Sequence, residues 1–344
     1  MADCPTRLAD LTTLRLGGPA RRLVRATTED ELVDAVRTAD EQGEPLLLVG
    51  GGSNLVVGDE GFDGTVVSIA TSGIRVEQDT CGGAVVRVAA GESWDALVAH
   101  AVEQGWSGVE ALSGIPGSVG ATPIQNVGAY GQEVADTIAS VRCWDRVLRG
   151  QRTFAAADCA FGYRTSRFKR DPGRHVVLEV TFQLPLGDLG APVRYAELAR
   201  TLGVEVGSRA AAADVREAVL GLRRGKGMVL DTGDHDTWSA GSFFTNPFVT
   251  DGALLPDDAP RWPQPDGSVK TSAAWLIEHA GFHKGHGDDR VSLSTKHTLA
   301  LTNRGGAATT DLLALAAEVQ RGVQERFGIR LVNEPVLVGC ELPA

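Results

Sequence analysis

The chain has 344 residues and a mass of 36.2 kDa, which is enough for two or three compact units with a substantial core. Its 44 acidic and 33 basic residues give a net charge of −11, which argues against a general nucleic-acid or anionic-membrane binder. The start of the chain lacks the basic and apolar regions of a signal peptide, and no apolar run reaches membrane-spanning length. We therefore expect a cytoplasmic protein without nucleic-acid or membrane partners.

The first elements are a helix, a strand, a glycine loop and a second strand. The pattern from Thr28 to Glu31 predicts a capping box at the helix start. The apolar run 46–49 predicts a buried strand that stops at the glycine loop 50–54, after which an extended apolar stretch resumes. We expect these elements to complete a small βαββ-like unit. The loop lacks the third glycine and the following helix of a Rossmann fingerprint, so a Rossmann domain is excluded.

A second glycine-rich loop covers residues 113–121 and continues into residues 125–131. Its glycines at three-residue spacing, Gly114, Gly117 and Gly120, can bring several N–H groups into one concavity that binds a pyrophosphate. Tight turns between strands would account for either glycine loop alone. Together the two loops predict a dinucleotide-type cofactor.

The remaining segments mix helices and strands, which makes the fold class α+β. We predict strands at 84–90, 138–144, 175–184 and 298–301, a short strand pair near 333–335, and helices at 93–104, 214–222, 272–280 and 310–327. The segment 187–241 is turn-rich and reads as a boundary region. The stretch 221–227 resembles a P-loop but has one residue too few between its glycines, which argues against nucleoside-triphosphate hydrolysis.

Three polar residues stand in apolar surroundings and are candidates for chemistry. Arg164 follows an aromatic residue and could clamp a carboxylate, or form a surface salt bridge. Ser242 precedes two aromatic residues that would shield it from water, although a capping or turn serine is the alternative. Glu334 lies between two short strands, as a functional acid or as a gatekeeper of an edge strand.

Metal and disulfide sites have little support. The five cysteines are scattered without a CxxC pair, so buried or idle thiols are expected: Cys4, Cys81, Cys143, Cys159 and Cys340. His279, His283 and His286 have helical spacing, but glycines interrupt the helix and no further ligand has a suitable spacing. We expect no metal.

Taken together, the motifs resemble the UDP-N-acetylenolpyruvoylglucosamine reductase family, flavoenzymes of bacterial cell-wall precursor synthesis. The resemblance spans nearly the whole chain and rests on motifs in the family's order: LVGGGSNL (48–55), SGIPGSVGA (113–121), QNVGAYG (125–131), YRTSRFK (163–169), AGSFFTNP (240–247) and NEP (333–335).

The resemblance implies a three-part FAD-binding flavoprotein of the vanillyl-alcohol-oxidase (PCMH-type) superfamily with a separate α+β substrate-binding domain. Residues 1–69 would form a first FAD-binding subdomain, with residues 328–344 as its candidate completion. Residues 70–222 would form a second FAD-binding subdomain with the pyrophosphate loop and a tyrosine insertion. Residues 223–327 would bind the substrate, and we expect a monomer.

By the same resemblance, FAD is bound without a covalent link and NADPH is the co-substrate. The implied cofactor-binding residues lie in both glycine loops and the segment after them: Gly50, Gly51, Gly52, Ser53, Asn54, Ser113, Gly114, Ile115, Pro116, Gly117, Gly120, Ala121, Gln125, Asn126, Gly128 and Ala129. Backbone amides there would offset the pyrophosphate charge.

The implied reaction reduces UDP-N-acetylglucosamine enolpyruvate to UDP-N-acetylmuramate by hydride transfer from N5 of reduced FAD. Arg164 would hold the substrate carboxylate, Ser242 would protonate the α-carbon, and Glu334 would polarise the intermediate or relay a proton. Further implied substrate contacts are Tyr195, Arg223, Lys226 and Asn246. The alternatives are another FAD-dependent oxidase of the same superfamily and a non-catalytic nucleotide-binding protein.

Overall fold

The computed structural model describes residues 6–80, 82–250 and 255–343, and the predicted idle thiols Cys4 and Cys81 lie outside these residues. The strands are β1 (Ala20–Ala26), β2 (Leu46–Val49), β3 (Leu55–Val57), β4 (Phe62–Ile69), β5 (Ile74–Thr80), β6 (Gly83–Ala89), β7 (Gly128–Ala129), β8 (Gln132–Glu133), β9 (Ile138–Asp145), β10 (Gly150–Ala155), β11 (His175–Leu184), β12 (Phe248–Val249), β13 (Trp262–Pro263), β14 (Val269–Lys270), β15 (Val291–Leu293), β16 (Leu301–Asn303) and β17 (Val336–Val338). The α-helices are α1 (Glu29–Gln42), α2 (Trp94–Glu103), α3 (Arg167–Arg170), α4 (Ala196–Leu202), α5 (Ala212–Gly225), α6 (Ala273–His279) and α7 (Thr309–Phe327).

The chain forms two compact units. The central unit contains residues 21–51 and 63–224, and the terminal unit contains residues 1–20, 52–62 and 225–344. The first predicted FAD-binding subdomain, residues 1–69, is therefore divided between the two units. The reason is that β3 pairs in parallel with β17, with Leu55 opposite Val336. The cofactor and substrate roles of the predicted domains stay predictions.

The central unit is built on two sheets. A five-stranded sheet has the order β10-β9-β11-β6-β5, and its described strand pairs are antiparallel. Helix α2 packs against this sheet through Trp94, Leu97 and Val98. The three-stranded sheet has the order β1-β4-β2, and α1 covers it with Leu32 and Val36. Burial of these apolar faces holds each helix on its sheet.

The terminal unit has its own core around the long helix α7. Leu312, Leu315 and Val319 of this helix pack with α6 and with the hairpin of β15 and β16. A small antiparallel sheet of order β12-β14-β13 and the β3–β17 pair complete the unit. No helix among the described residues is both long and apolar enough to cross a lipid bilayer.

Several local predictions are confirmed. Helix α1 has Thr28 as its N-cap with the complete capping box to Glu31, and it ends at Gly43 in a left-handed conformation. The predicted helices at 93–104, 272–280 and 310–327 correspond to α2, α6 and α7. The P-loop-like stretch is the end of helix α5, which extends to Gly225.

Other local predictions are wrong. The strand directly after the first glycine loop, β3, is not part of the expected βαββ-like unit, because it pairs with β17, and β4 takes its place beside β1 and β2. The strand predicted at 298–301 begins only at Leu301. The sequence also gave no indication of β10, an exposed strand that the antiparallel pairing with β9 creates.

Candidate active site

The two glycine loops touch within the central unit. A Cβ atom on Gly51 would lie 2.5 Å from the Cα atom of Gly117, and one on Gly50 would lie 2.3 Å from the Oγ atom of Ser118. Glycine is required at position 51, because the backbone of Gly117 cannot yield, whereas a side chain on residue 50 would only have to displace the Ser118 hydroxyl. Gly52 follows in the terminal unit with φ +61°, and its Cβ would overlap the carbonyl oxygen of Leu11.

The contact between the loops leaves a set of main-chain donors around it. In the central unit, the N–H groups of Gly50, Gly51, Ile115, Gly117 and Ser118 donate to none of the described residues. In contrast, the N–H groups of Val119, Gly120 and Ala121 are bonded to main-chain carbonyls. N–H groups that have no acceptor among the described residues, in two glycine loops that touch, fit an anionic ligand such as a pyrophosphate.

Both main-chain polar groups of Gly114 are hydrogen-bonded. Its N–H donates to Asp95 over 2.6 Å, and its carbonyl accepts from Arg223 over 3.3 Å. Asp95 also receives both guanidinium nitrogens of Arg216, at 2.7 and 3.0 Å. Burial works against ionisation of Asp95, yet the hydrogen bonds from Arg216 and Gly114 hold its pKa below the usual value. The second glycine loop is thereby tied to α2 and α5.

The other predicted cofactor residues take different environments in and after these loops. Ser113 is buried, and its hydroxyl donates to the carbonyl of Glu110. A Cβ on Gly120 would lie 2.5 Å from that of Ala90. Ala121 is exposed, and the remaining members of the set are half-buried: Ser53, Ile115, Pro116, Gln125 and Ala129.

Arg164 lies in a tight turn of the central unit. The main-chain N–H and carbonyl groups of Gly162 and Thr165 bond to each other, at 3.0 and 3.2 Å, which closes the turn. Arg164 has φ +51°, a left-handed conformation that is uncommon for a residue with a side chain. Its guanidinium donates to the carbonyls of Asn126, at 3.3 Å, and Gly128, at 2.7 Å. The half-buried guanidinium is therefore held from the side of the segment 126–128.

Asn126 is buried, and its side chain bonds to two other segments, residues 133–135 and the turn at Gly162. Its side-chain amide donates to Glu133 over 2.7 Å and to the carbonyl of Gly162 over 3.2 Å, and its oxygen accepts the N–H of Ala135. Asn126 also has φ +48°. The family resemblance implies a cofactor contact for Asn126, which stays a prediction, and the side chain of Asn126 forms hydrogen bonds within the protein.

Ser242 and Glu334 belong to the terminal unit and lie on adjacent backbone segments. Phe244 and Asn333 form an antiparallel bridge, and the N–H of Glu334 donates to the carbonyl of Phe243 over 2.8 Å. Both Ser242 and Glu334 are half-buried, whereas the aromatic side chains of Phe243 and Phe244 are fully enclosed. Residues 92 positions apart in sequence are thus brought together by this pairing.

Two asparagines support this part of the terminal unit. The side chain of Asn54 donates to the carbonyl of Glu334 over 3.4 Å, and the carbonyl of Asn54 accepts the N–H of Val336 over 2.9 Å. Asn246 accepts the N–H of Ala273 at the start of α6 over 2.9 Å. These bonds orient Asn54, a predicted cofactor contact, and Asn246, a predicted substrate contact.

The predicted substrate-binding residues of the central unit are Tyr195 and Arg223. Tyr195 is 53% exposed at the start of α4, and its ring meets that of Tyr130 edge-on at 6.2 Å. Burial lowers the pKa of Arg223 to about 10, an effect that Tyr130 and Asp95 partly oppose. Arg223 is therefore still cationic at neutral pH, beside the second glycine loop. Lys226 is half-buried in the terminal unit, just after α5.

Glu110 is a buried acid that sequence reasoning missed. It is fully enclosed and accepts the N–H groups of Gly108 and Ala191, each at 2.6 Å, and the side-chain amide of Gln132 at 2.7 Å. Gln132 in turn accepts the N–H of Ala111. This network joins the entry of the second glycine loop to the segment that leads to Tyr195. An acid within the apolar run before this loop was the available signal.

Among the described residues, no group of three or more His, Cys, Asp or Glu side chains is arranged to hold a metal ion. The ring of His279 stacks on Trp275, and His286 pairs with Glu318. Cys143, Cys159 and Cys340 are free thiols, and burial raises the pKa of each.

Two family models match the chain. One is described as an FAD binding domain and matches residues 20–147. The other is described as the C-terminal domain of UDP-N-acetylenolpyruvoylglucosamine reductase and matches residues 233–338. The first match includes both glycine loops, and the second includes Ser242 and Glu334.

Similar proteins extend these matches over the whole chain. A UDP-N-acetylenolpyruvoylglucosamine reductase of Cutibacterium acnes is 62% identical and covers 97% of this chain and 90% of its own length. The protein of the same name from Streptomyces avermitilis is 60% identical over 99% of this chain and 95% of its own. The crystal structure of UDP-N-acetylenolpyruvylglucosamine reductase from Thermus caldophilus superimposes with a TM-score of 0.66 at 26% identity, over 97% of this chain and 98% of that one.

Proposed function

The chain belongs to the UDP-N-acetylenolpyruvoylglucosamine reductase family, and we propose how its own residues carry out the reaction of that family. It is an FAD-dependent oxidoreductase of peptidoglycan synthesis that reduces the enolpyruvyl group of UDP-N-acetylglucosamine enolpyruvate. NADPH is the reductant. We further propose that the protein acts in the cytoplasm as a monomer.

The observation that carries the proposal is that the two glycine loops touch and that several of their N–H groups have no acceptor among the described residues. We assign the FAD pyrophosphate to the N–H groups of Gly50, Gly51, Ile115, Gly117 and Ser118. FAD held there would supply the hydride chemistry of the reaction, with NADPH as the source of the hydride and the methylene carbon of the substrate as its destination. The desolvated guanidinium of Arg223 lies beside Gly114 and adds positive charge to the same loop.

Arg164 binds the substrate carboxylate in this proposal. When hydride adds to the methylene carbon, negative charge develops on the α-carbon and spreads into the carboxylate. A donor already held in place stabilises this charge without reorganisation at the moment of reaction. The carbonyls of Asn126 and Gly128 hold the guanidinium of Arg164 in that way before the substrate arrives.

Ser242 delivers the proton to the α-carbon. A serine hydroxyl is a weak acid, so its alkoxide needs nearby donors or positive charge and the exclusion of water. Phe243 and Phe244, which directly follow Ser242, are buried in the core of the terminal unit and anchor this segment. The serine then recovers its proton from solvent or through a relay.

Glu334 is the second acid of the proposal and follows the bridge that joins Asn333 to Phe244. Its main-chain N–H donates to the residue after Ser242, and Asn54 holds its carbonyl. We propose that the carboxyl group of Glu334 stabilises the developing charge or returns a proton to the Ser242 hydroxyl. We also assign contacts with the sugar nucleotide to Tyr195, Lys226 and Asn246.

The test uses the purified full-length protein and follows its flavin absorbance at about 450 nm. We expect a yellow protein whose absorbance falls on adding NADPH under nitrogen and returns on adding UDP-N-acetylglucosamine enolpyruvate. Return of colour only with oxygen would point instead to an oxidase. A colourless protein that cannot be reconstituted with FAD would contradict the proposal and leave a nucleotide-binding module.

A further inference from the structure

We propose that Asn126 is a positioning residue for Arg164, and that its side chain acts through the turn that carries this arginine rather than by touching FAD. The inference rests on the proposed role of Arg164 in binding the substrate carboxylate. It differs from the FAD contact that the family resemblance implies for Asn126.

The first argument is the hydrogen bonding of the side chain. The two amide hydrogens of Asn126 have two acceptors, Glu133 at 2.7 Å and the carbonyl of Gly162 at 3.2 Å. The side-chain oxygen accepts the N–H of Ala135 at 3.2 Å. Asn126 is 1% exposed, so this side chain is satisfied within the protein and presents little surface to a ligand.

The second argument is that Asn126 restrains Arg164 through two separate hydrogen bonds. Its side chain holds Gly162, which closes the turn of Arg164 by bonding to Thr165. Its main-chain carbonyl accepts one guanidinium nitrogen of Arg164 directly. One residue thus restrains both the backbone and the charged end of the arginine.

The third argument is backbone strain. Asn126 and Arg164 both have positive φ, +48° and +51°, in a conformation that costs free energy for residues with side chains. Such a pair persists only where neighbouring bonds impose it. Asparagine tolerates this conformation better than most residues, which fits the choice of residue at position 126.

The charge around Asn126 explains why an amide is needed rather than a carboxylate. Its donors face the carboxylate of Glu133 and a carbonyl oxygen, so an acid in this place would meet two acceptors. Gly128 on the same segment is close as well, since its Cβ would lie 3.2 Å from the Nη1 atom of Arg164. The segment 126–128 is thus shaped around the guanidinium.

The test is a double-mutant cycle between Asn126→Gly and Arg164→Ala. Glycine accepts positive φ, so Asn126→Gly removes the side-chain bonds without adding backbone strain. Each protein is loaded with FAD and reduced with NADPH, and stopped-flow absorbance follows its reoxidation by the enolpyruvyl sugar nucleotide. The control is Asn303→Ala, another buried asparagine whose side chain bonds to main-chain groups, here Leu14 and Arg15.

We expect Asn126→Gly to slow reoxidation on the order of 10²-fold, because a misplaced carboxylate clamp costs about that much, while reduction by NADPH changes little. In the Arg164→Ala background, Asn126→Gly should have almost no further effect. Asn303→Ala should lower stability without any such coupling.

The possible contrary results are distinct. Full additivity of Asn126→Gly and Arg164→Ala would overturn the positioning role, as would loss of FAD affinity as the main effect of Asn126→Gly. If Arg164→Ala itself reoxidises at the normal rate, the proposed function of Arg164 fails instead. Should Asn126→Gly not fold, the same cycle with Asn126→Ser, which is uncharged and too short to span the bonds to Glu133 and Gly162, decides between these outcomes.

Discussion

Gly51 approaches Gly117 so closely that a Cβ atom on Gly51 would stand 2.5 Å from the Cα atom of its neighbour. The two loops that would hold the pyrophosphate therefore meet backbone to backbone. Any side chain on Gly51 must push the loops apart and separate the amide groups on either side.

Gly51→Ala should lower the FAD content of the purified protein to a small fraction of the normal value. Backbone atoms cannot yield as the end of a flexible side chain can, so the alanine displaces the second loop. Flavin absorbance per mole of protein is the measurement. Gly221→Ala is the matched control, because Gly221 lies in α5 with open space around its Cβ position. A fully yellow Gly51→Ala protein would contradict the assigned cradle.

Ser242→Ala should leave flavin reduction by NADPH nearly unchanged and slow reoxidation by the enolpyruvyl substrate about 10²- to 10⁴-fold. Only the second half of the reaction needs the proton that we assign to this hydroxyl. Stopped-flow traces of the two halves separate the effects, and the reductive half is the internal control. Equal slowing of both halves would remove Ser242 from the role of proton donor.

Asp95→Asn should destabilise the protein most at neutral pH. The folded-state pKa of Asp95 is lowered, so its ionised form adds stability above its unfolded pKa of about 4. That contribution is lost as pH falls through the folded pKa, and the stability gap to the variant should then close. Urea unfolding at pH 7, 5 and about 3 measures the gap. If the difference in unfolding free energy between the two proteins grew toward low pH, the ionised form of Asp95 would not be the stabilising one.

Glu110→Gln should cost about 1–3 kcal/mol of unfolding free energy. The NH₂ group of glutamine would face a buried N–H donor at a position where a carboxylate oxygen now accepts the hydrogen bond. Urea unfolding is the measurement, and the exposed Glu103→Gln is a control expected to change little. We also expect a higher KM for the sugar nucleotide, since Glu110 anchors the N–H of Ala191 ahead of Tyr195. An unchanged unfolding free energy would mean that the network rearranges freely.

Local sequence patterns predicted much of the fold. The capping box of α1, the apolar run of β2 and the long amphipathic α7 each encode their structure in neighbouring residues, so their positions could be read directly. The two glycine loops could also be recognised, since their composition permits little else. The close contact between the two loops could not be predicted from the sequence.

The sequence by itself determined which residues have suitable chemistry: glycines for close backbone approach, an arginine beside an aromatic residue, a serine before two phenylalanines. Only the tertiary structure decided that β3 pairs with β17, which brings Asn54 to Glu334. It also decided that the side chain of Asn126 faces Gly162 and Glu133. The physical reason is that hydrogen bonds between residues distant in sequence follow from how the segments pack, and a local pattern carries no record of its distant partner.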